Sequence, residues 1–187
     1  MQRRELIAAR DALPGELRAD FNRAIANHLR LGLGRALGPL GNLSVGAYYP
    51  IGAEPDIMSL FPEFRDVALP SVTDRHGELT FLRYRAGGRL VHEGFGVQVP
   101  EQREVINPSI LLIPCVGFKR RPDGRIDRLG YGGGFYDRTL AGSERITIGI
   151  AYALCEVPAF EVLPHDRPLD ALVTEQGFFG QLRADPL

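Results

Sequence analysis

Ten residues, Arg128-Leu-Gly-Tyr-Gly-Gly-Gly-Phe-Tyr-Asp137, constrain the fold of this chain more than any other segment. Four of them are glycine. Glycine loses more backbone entropy on folding than any other residue, about 0.5 to 1 kcal/mol relative to Ala in regular structure. A cluster this dense therefore belongs to a tight bend or to the close approach of another group. The apolar run Ile110 to Ile113 upstream reads as a strand, and Phe135 to Leu140, ended by Gly142, reads as a helix. Backbone amides around Gly130, Gly132, Gly133 and Gly134 can converge on an anion at the amino end of that helix, where partial positive charge lies. Arg128 can bond phosphate oxygens bidentately, and Asp137, in the first helical turn, can hold a Mg²⁺ that bridges them. The pieces suit a nucleoside triphosphate. They form neither a GxGxxG pattern, which needs Gly at Phe135, nor a P-loop, which needs a following Gly-Lys-Ser/Thr. A plainer reading is also open: a flexible turn, with Asp137 placed by the helix dipole.

The remaining pattern supplies a scaffold for such a bend. Leu6, Ile7 and Leu13, then Leu17, Phe21, Ile25 and Leu29, fall at near-helical spacing on either side of Pro14. This predicts two helices with a break at Leu13-Pro14-Gly15. A glycine-rich stretch, Gly32 to Gly41, follows them as a connection, and Leu43 to Tyr49 reads as the first core strand, stopped by Pro50. Pro55 suits the first turn of a short helix reaching about Phe61, with strands at Val67 to Leu69 and Leu79 to Tyr84. The second half runs strand, long polar loop, helix, then strands at Ile146 to Ala151 and Leu169 to Thr174. Strands alternating with helices imply a single α/β domain over residues 1–187, with a mostly parallel sheet covered on its faces.

Composition excludes several classes. The chain of 187 residues has 22 basic and 23 acidic side chains, a net charge of -1 and 44% apolar residues, as in one soluble globular domain. Nucleic acid is not expected as a partner, because a phosphate-tracking surface shows as a basic excess. The longest apolar run, Ile110 to Phe118, is broken by Pro114 and Gly117 and falls far short of the roughly 18 residues of a membrane span. The amino terminus lacks the apolar segment of a signal peptide, so the cytoplasm is expected and no membrane partner. Cys115 and Cys155 have no CxxC spacing and read as buried, inert thiols. His28, His76, His92 and His165 show no metal-ligand spacing. A monomer is the expectation.

The segment Arg128 to Arg138, RLGYGGGFYDR, resembles the signature of the 5-formyltetrahydrofolate cyclo-ligases, also called 5,10-methenyltetrahydrofolate synthetases. Weaker pieces occur in the expected order: Arg3 and Arg10 with Leu13 in the opening helix, Tyr49 with Glu54 and Asp56 after the first strand, and LDALVTE, Leu169 to Glu175. The resemblance implies a small α/β fold similar to sugar-phosphate isomerases and CoA transferases. It also implies a ligase that uses ATP and Mg²⁺ to convert 5-formyltetrahydrofolate into 5,10-methenyltetrahydrofolate, releasing ADP and phosphate through a phosphorylated formyl group.

By match to the motif, Arg3 and the run Arg128, Leu129, Gly130, Tyr131, Gly132, Gly133, Gly134, Phe135 and Tyr136 would contact ATP, with Arg128 and Tyr131 at the reacting groups. Tyr131, Gly132, Gly133, Gly134 and Phe135 would also meet the folate, together with Tyr49 as a flat packing surface and Glu54 as acceptor for the pterin ring. Asp137 and Asp170 would bind Mg²⁺. Arg3 and Arg10, seven positions apart, can turn toward one anion from one helical face.

Three features depart from the family. The Lys usual four residues before the position of Arg3 has no counterpart in this sequence, so one ATP contact is expected to be missing or supplied elsewhere. A longer loop bears Lys119, Arg120, Arg121 and Arg125 around a Pro122-Asp-Gly124 turn, and Pro55 and Ile57 flank Glu54 in place of more usual residues. The basic loop suggests a second reading, a noncatalytic folate- or nucleotide-binding relative whose loop serves a polyanionic partner. A third is an enzyme of the related folds acting on a phosphorylated sugar.

Overall fold

Pro14 divides the opening helical pattern where the spacing predicts, giving α1 (Arg3–Asp11) and α2 (Gly15–Leu37) in a computed structural model that describes residues 3–164 and 166–182. Leu6 of α1 and the α2 stripe Ile25, Ala26, Leu29 and Leu33 are buried, so each helix sinks one face into the core. The strands are β1 (Ser44–Gly46), β2 (Asp66–Ser71), β3 (Thr80–Tyr84), β4 (Leu90–His92), β5 (Gln98–Pro100), β6 (Ile110–Pro114), β7 (Gly117–Arg120) and β8 (Ile126–Leu129). After α3 (Phe135–Leu140) come β9 (Ile146–Ile150), β10 (Ala171–Thr174) and β11 (Gly177–Gly180).

One seven-stranded sheet has the order β11-β10-β9-β6-β1-β2-β3. The inner strands β10, β9, β6, β1 and β2 pair in parallel, while β3 and β11 close the two edges antiparallel. Near-continuous apolar runs such as Ile110-Leu-Leu-Ile113 are buried, as parallel strands covered on both faces require. α2 packs on β10 and β11, and a single cluster of buried apolar residues joins α2 to the strands of both halves. The predicted α/β sheet is therefore present. Among the described residues, no helix is long and apolar enough to cross a membrane.

The structure corrects the reading of the chain at several places. The glycines at the start of Gly32 to Gly41 are helical, because α2 runs on to Leu37. A Cβ on Gly32 would lie 2.1 Å from Phe178 Cδ2, so this glycine lets the helix approach β11. The strand predicted over Leu43 to Tyr49 keeps its ladder only at β1. The turn after Pro55 is a 3₁₀ helix at Met58–Glu63, with the Met58 amide capped by Asp56 Oδ1 at 2.8 Å. The long polar loop before the glycine run is a hairpin, β7 paired with β8, turning at Gly124 with φ 84°. β4, β5 and β11 are three or four residues long, too short to register as periodic patterns.

Candidate active site

β8 carries the chain from Leu129 into Gly130, and α3 takes over at Phe135. Between them the backbone turns left-handed twice, at Gly132 (φ 98°) and Gly134 (φ 67°), conformations that L side chains rarely adopt. Gly134 caps α3. The bend is braced from outside by Arg138, which stacks over the Phe135 ring and donates to the Gly133 carbonyl at 3.0 Å and the Gly77 carbonyl at 2.9 Å.

Helix α1 clasps the same bend. Arg3 Nε donates to the Gly130 carbonyl at 2.7 Å, and Arg10, on the same helical face, donates through Nη2 to the Tyr131 hydroxyl at 2.8 Å. The two arginines thus meet consecutive residues of the bend rather than one shared anion. Leu6 between them is fully buried and packs with Leu129, Val116 and Val157. Tyr131 passes the contact on: its hydroxyl donates to Glu54 Oε1 at 2.9 Å, while the Ile51 amide donates to Oε2 at 2.9 Å. Three pieces remote in sequence, α1, the turn after β1 and the glycine bend, are joined in one hydrogen-bonded chain.

Burial sets the charge states here. Glu54 is 4% exposed, and loss of water pushes its carboxyl above the ordinary range against the opposing pull of the Ile51 amide, the Tyr131 hydroxyl and the Arg10 charge. Tyr131 is half exposed, but its hydroxyl, held between Arg10 and Glu54, is pushed up to about 12 by desolvation at that end and by the nearby Glu54. Tyr48 and Tyr136 are raised for the same two reasons, burial first. Cys115 and Cys155 are buried thiols raised to about 12 and about 11 by desolvation, consistent with inert cysteines.

Arg128 and Asp137 face each other. The Arg128 side chain is 6% exposed, its Nη2 donating to Asp137 Oδ1 at 2.5 Å and its Nη1 to the Arg167 carbonyl at 2.5 Å. Asp170 has other partners: its Oδ2 accepts from the Thr147 amide and hydroxyl, each at 2.8 Å. These bonds use one oxygen of each carboxylate. No group of three or more His, Cys, Asp or Glu that could hold a metal ion occurs among the described residues. Each carboxylate taken singly is of the kind Mg²⁺ accepts, since the ion takes one or two carboxylates and completes its shell with phosphate oxygens and water.

Tyr49 is half-buried against the core beside Tyr48, whose hydroxyl donates to the Pro55 carbonyl at 2.6 Å and so fixes the turn carrying Glu54. Tyr136 also packs on the core. His165 lies outside the described residues. The basic loop does not present free cations: Arg120 pairs with Glu156 at 2.6 Å, Lys119 with Asp127 at 3.3 Å, and Arg121 and Arg125 with Asp123 at 3.6 and 3.1 Å. Each of these four cations has a partner among three acids, Asp123 and Asp127 of the hairpin and Glu156 beside it. Sequence reasoning missed Arg138 and Asn22, whose Oδ1 accepts from the Asp56 amide and the Tyr152 hydroxyl. Arg138 stands inside the glycine signature, which was the available signal; Asn22 carried none.

A mostly parallel sheet supporting a glycine bend, clasped by two arginines and tied to a buried carboxylate, defines an α/β protein with a polar cluster at that bend. The family model of the 5-formyltetrahydrofolate cyclo-ligases matches residues 2–175, and the chain belongs to that family. It is 35% identical over 128 residues to the 5-formyltetrahydrofolate cyclo-ligase of Haemophilus influenzae, covering 63% of this chain and 66% of the relative. To the Escherichia coli K12 protein of the same name it is 36% identical over 106 residues, 52% of this chain and 56% of the relative. These matches span about two thirds and just over half of the curated relatives. The fold is similar to that of Aquifex aeolicus 5,10-methenyltetrahydrofolate synthetase, with a TM-score of 0.73 and 28% identity over 99% of this chain and 93% of the other. A synthetase from Mycoplasma pneumoniae shares the fold at TM-score 0.69 and 24% identity, over 92% and 96% of the two chains.

Proposed function

We propose that this chain is a ligase that closes 5-formyltetrahydrofolate to 5,10-methenyltetrahydrofolate with consumption of ATP and release of ADP and phosphate. The observation that carries this reading is the Tyr131 hydroxyl, bonded at once to Arg10 and Glu54, which ties the family's glycine signature to the carboxylate expected to hold the pterin. In the reaction the formyl oxygen takes the terminal phosphoryl group, the nitrogen at position 10 attacks the activated carbon, and phosphate leaves as the ring closes. Aligning donor with acceptor and stabilising charge are the main demands of phosphoryl transfer.

Each group has a part in that alignment. Arg3 and the amides of the bend from Leu129 to Tyr136 would seat the triphosphate, and Tyr131 to Phe135 would border both substrates. Glu54 would accept from the ring N–H groups, with Tyr49 as a packing surface. Arg128 would stabilise charge on the transferring group. Its ion pair with Asp137 holds together two groups whose other natural partners are phosphate and a cation. When bound, Mg²⁺ would be held by Asp137 and Asp170 and would neutralise charge on the triphosphate.

We place the fold with the sugar-phosphate isomerases and CoA transferases, and the protein in the cytoplasm. The test is direct. Purified protein with ATP and Mg²⁺ should convert 5-formyltetrahydrofolate to a product with the near-ultraviolet absorbance of the methenyl compound, with release of one ADP per turnover. ATP binding without conversion of the folate would sink the reading.

A further inference from the structure

Arg10 is an expensive residue to place where it stands. It is 2% exposed, and two of its three guanidinium nitrogens, Nε and Nη1, are buried without a hydrogen-bond partner. Unpaired buried donors on a cation disfavour folding, and an apolar side chain of similar length would fill the same helical position without that cost. Stability does not account for the arginine. Its one bond does: Nη2 to the Tyr131 hydroxyl at 2.8 Å, and from Tyr131 to Glu54 Oε1 at 2.9 Å.

Taking the pterin reading of Glu54 above as its basis, we propose that Arg10 is a positioning residue which, through Tyr131, keeps Glu54 an acceptor-only carboxylate and thereby selects a ring presenting paired N–H donors. The polarity of the chain follows from its first member. A guanidinium has donors and no acceptor, so at the Tyr131 oxygen it occupies a lone pair and leaves the hydroxyl hydrogen to go to Glu54. The Ile51 amide donates to the other oxygen, Oε2. Both carboxylate oxygens thus receive one donor each and retain a lone pair for a ligand.

Among the described residues, Arg10 is the cation that acts on Glu54. The ionisable groups that sense Glu54 from the elements around it are Arg10 of α1, Tyr48 after β1, Cys115 after β6, Tyr131 of the bend and Tyr136 of α3. The three tyrosines and the thiol are held neutral at physiological pH. Without Arg10, the Ile51 amide and the Tyr131 hydroxyl still oppose the desolvation of the Glu54 charge but no cation in this set does, and the carboxyl takes a proton at higher pH. A protonated Glu54 has one oxygen committed as a donor and no longer matches two ring N–H groups.

The experiment compares wild type, Arg10→Met, Arg10→Lys and Tyr131→Phe by calorimetric binding of 5-formyltetrahydrofolate and, separately, of Mg·ATP. Arg10→Met should bind the folate about tenfold or more weakly near about pH 6.5, with the gap closing toward about pH 9, a pH dependence that its Mg·ATP affinity does not share. Arg10→Lys should retain most of the folate affinity. Carbon-13 labelling of the glutamate carboxyls supplies a readout free of ligand: the Glu54 resonance should titrate at higher pH in Arg10→Met. Should that variant not fold, Tyr131→Phe cuts the same chain and is expected to show the same direction. A folate loss equal at every pH, or an unmoved Glu54 titration, makes Arg10 a packing residue and overturns the proposal. If wild type fails to bind the folate at all, the reading of the function falls first, and this proposal with it.

Discussion

Asp137 and Glu54 show how two carboxylates at this bend act on the fold in opposite senses. Asp137 neutralises a nearly buried Arg128. Asp137→Asn keeps the size, but removes both that charge and the expected metal ligand. Turnover should fall at least about 100-fold, with about 1 to 3 kcal/mol of stability lost from the stranded arginine. Steady-state rates and urea unfolding check both halves, and normal turnover would remove Asp137 from the reaction. Glu54 works in the opposite sense. Desolvation raises its carboxyl above the unfolded value, despite the Ile51 amide, the Tyr131 hydroxyl and the Arg10 charge. A raised native pKa means that the stability this group contributes is complete below the unfolded pKa and is lost as pH rises through the folded one. Glu54→Gln should therefore flatten the fall in Tm as pH rises above the ordinary glutamate range of about 4.3. A profile identical to wild type would contradict the burial of that charge.

Elements make the site possible by how closely they approach. Gly32→Ala would add about 1 kcal/mol of helix propensity, yet it would place a methyl group 2.1 Å from the Phe178 ring. Overpacking of this kind costs about 1 to 3 kcal/mol, so net destabilisation is expected. Adding Phe178→Ala should recover the propensity gain, and a double-mutant cycle in urea that shows no coupling would reject the contact. The β7–β8 hairpin is argued from its ion pairs. Arg121 and Arg125 are already matched by the exposed Asp123 and by the buried Asp127, which Lys119 continues to pair when Arg121 is replaced. Replacing both by Ser should change stability by less than about 1 kcal/mol and the KM for ATP by less than about twofold. A tenfold rise in that KM, about 1.4 kcal/mol, would mean that the hairpin holds phosphate after all.

Across the whole molecule, the site exists only where α1, the turn after β1 and the glycine bend come together. Ligands that bind this assembly should stabilise it by mass action, about 2.7 kcal/mol at 100 times Kd, and slow amide exchange in α1, whose Arg3 and Arg10 hold the bend. A rise in Tm with α1 exchange unchanged would separate the helix from the site. Much of this architecture was legible beforehand. The Pro14 break, the α3 boundaries and the inner strands follow from periodicity and from Gly and Pro, which act through local backbone geometry and need no partner. The glycine signature marked the bend for the same reason, since positive φ at Gly132 and Gly134 is a local property. Partner choice was not legible. That Arg10 would be buried against Tyr131, that Arg128 would spend its charge on Asp137, and that the basic loop would fold into a hairpin whose cations all find acid partners depend on which groups share a dry or crowded space. Charge and hydrogen-bond energies are settled by distance and desolvation, and those arise only when segments far apart in the chain have packed.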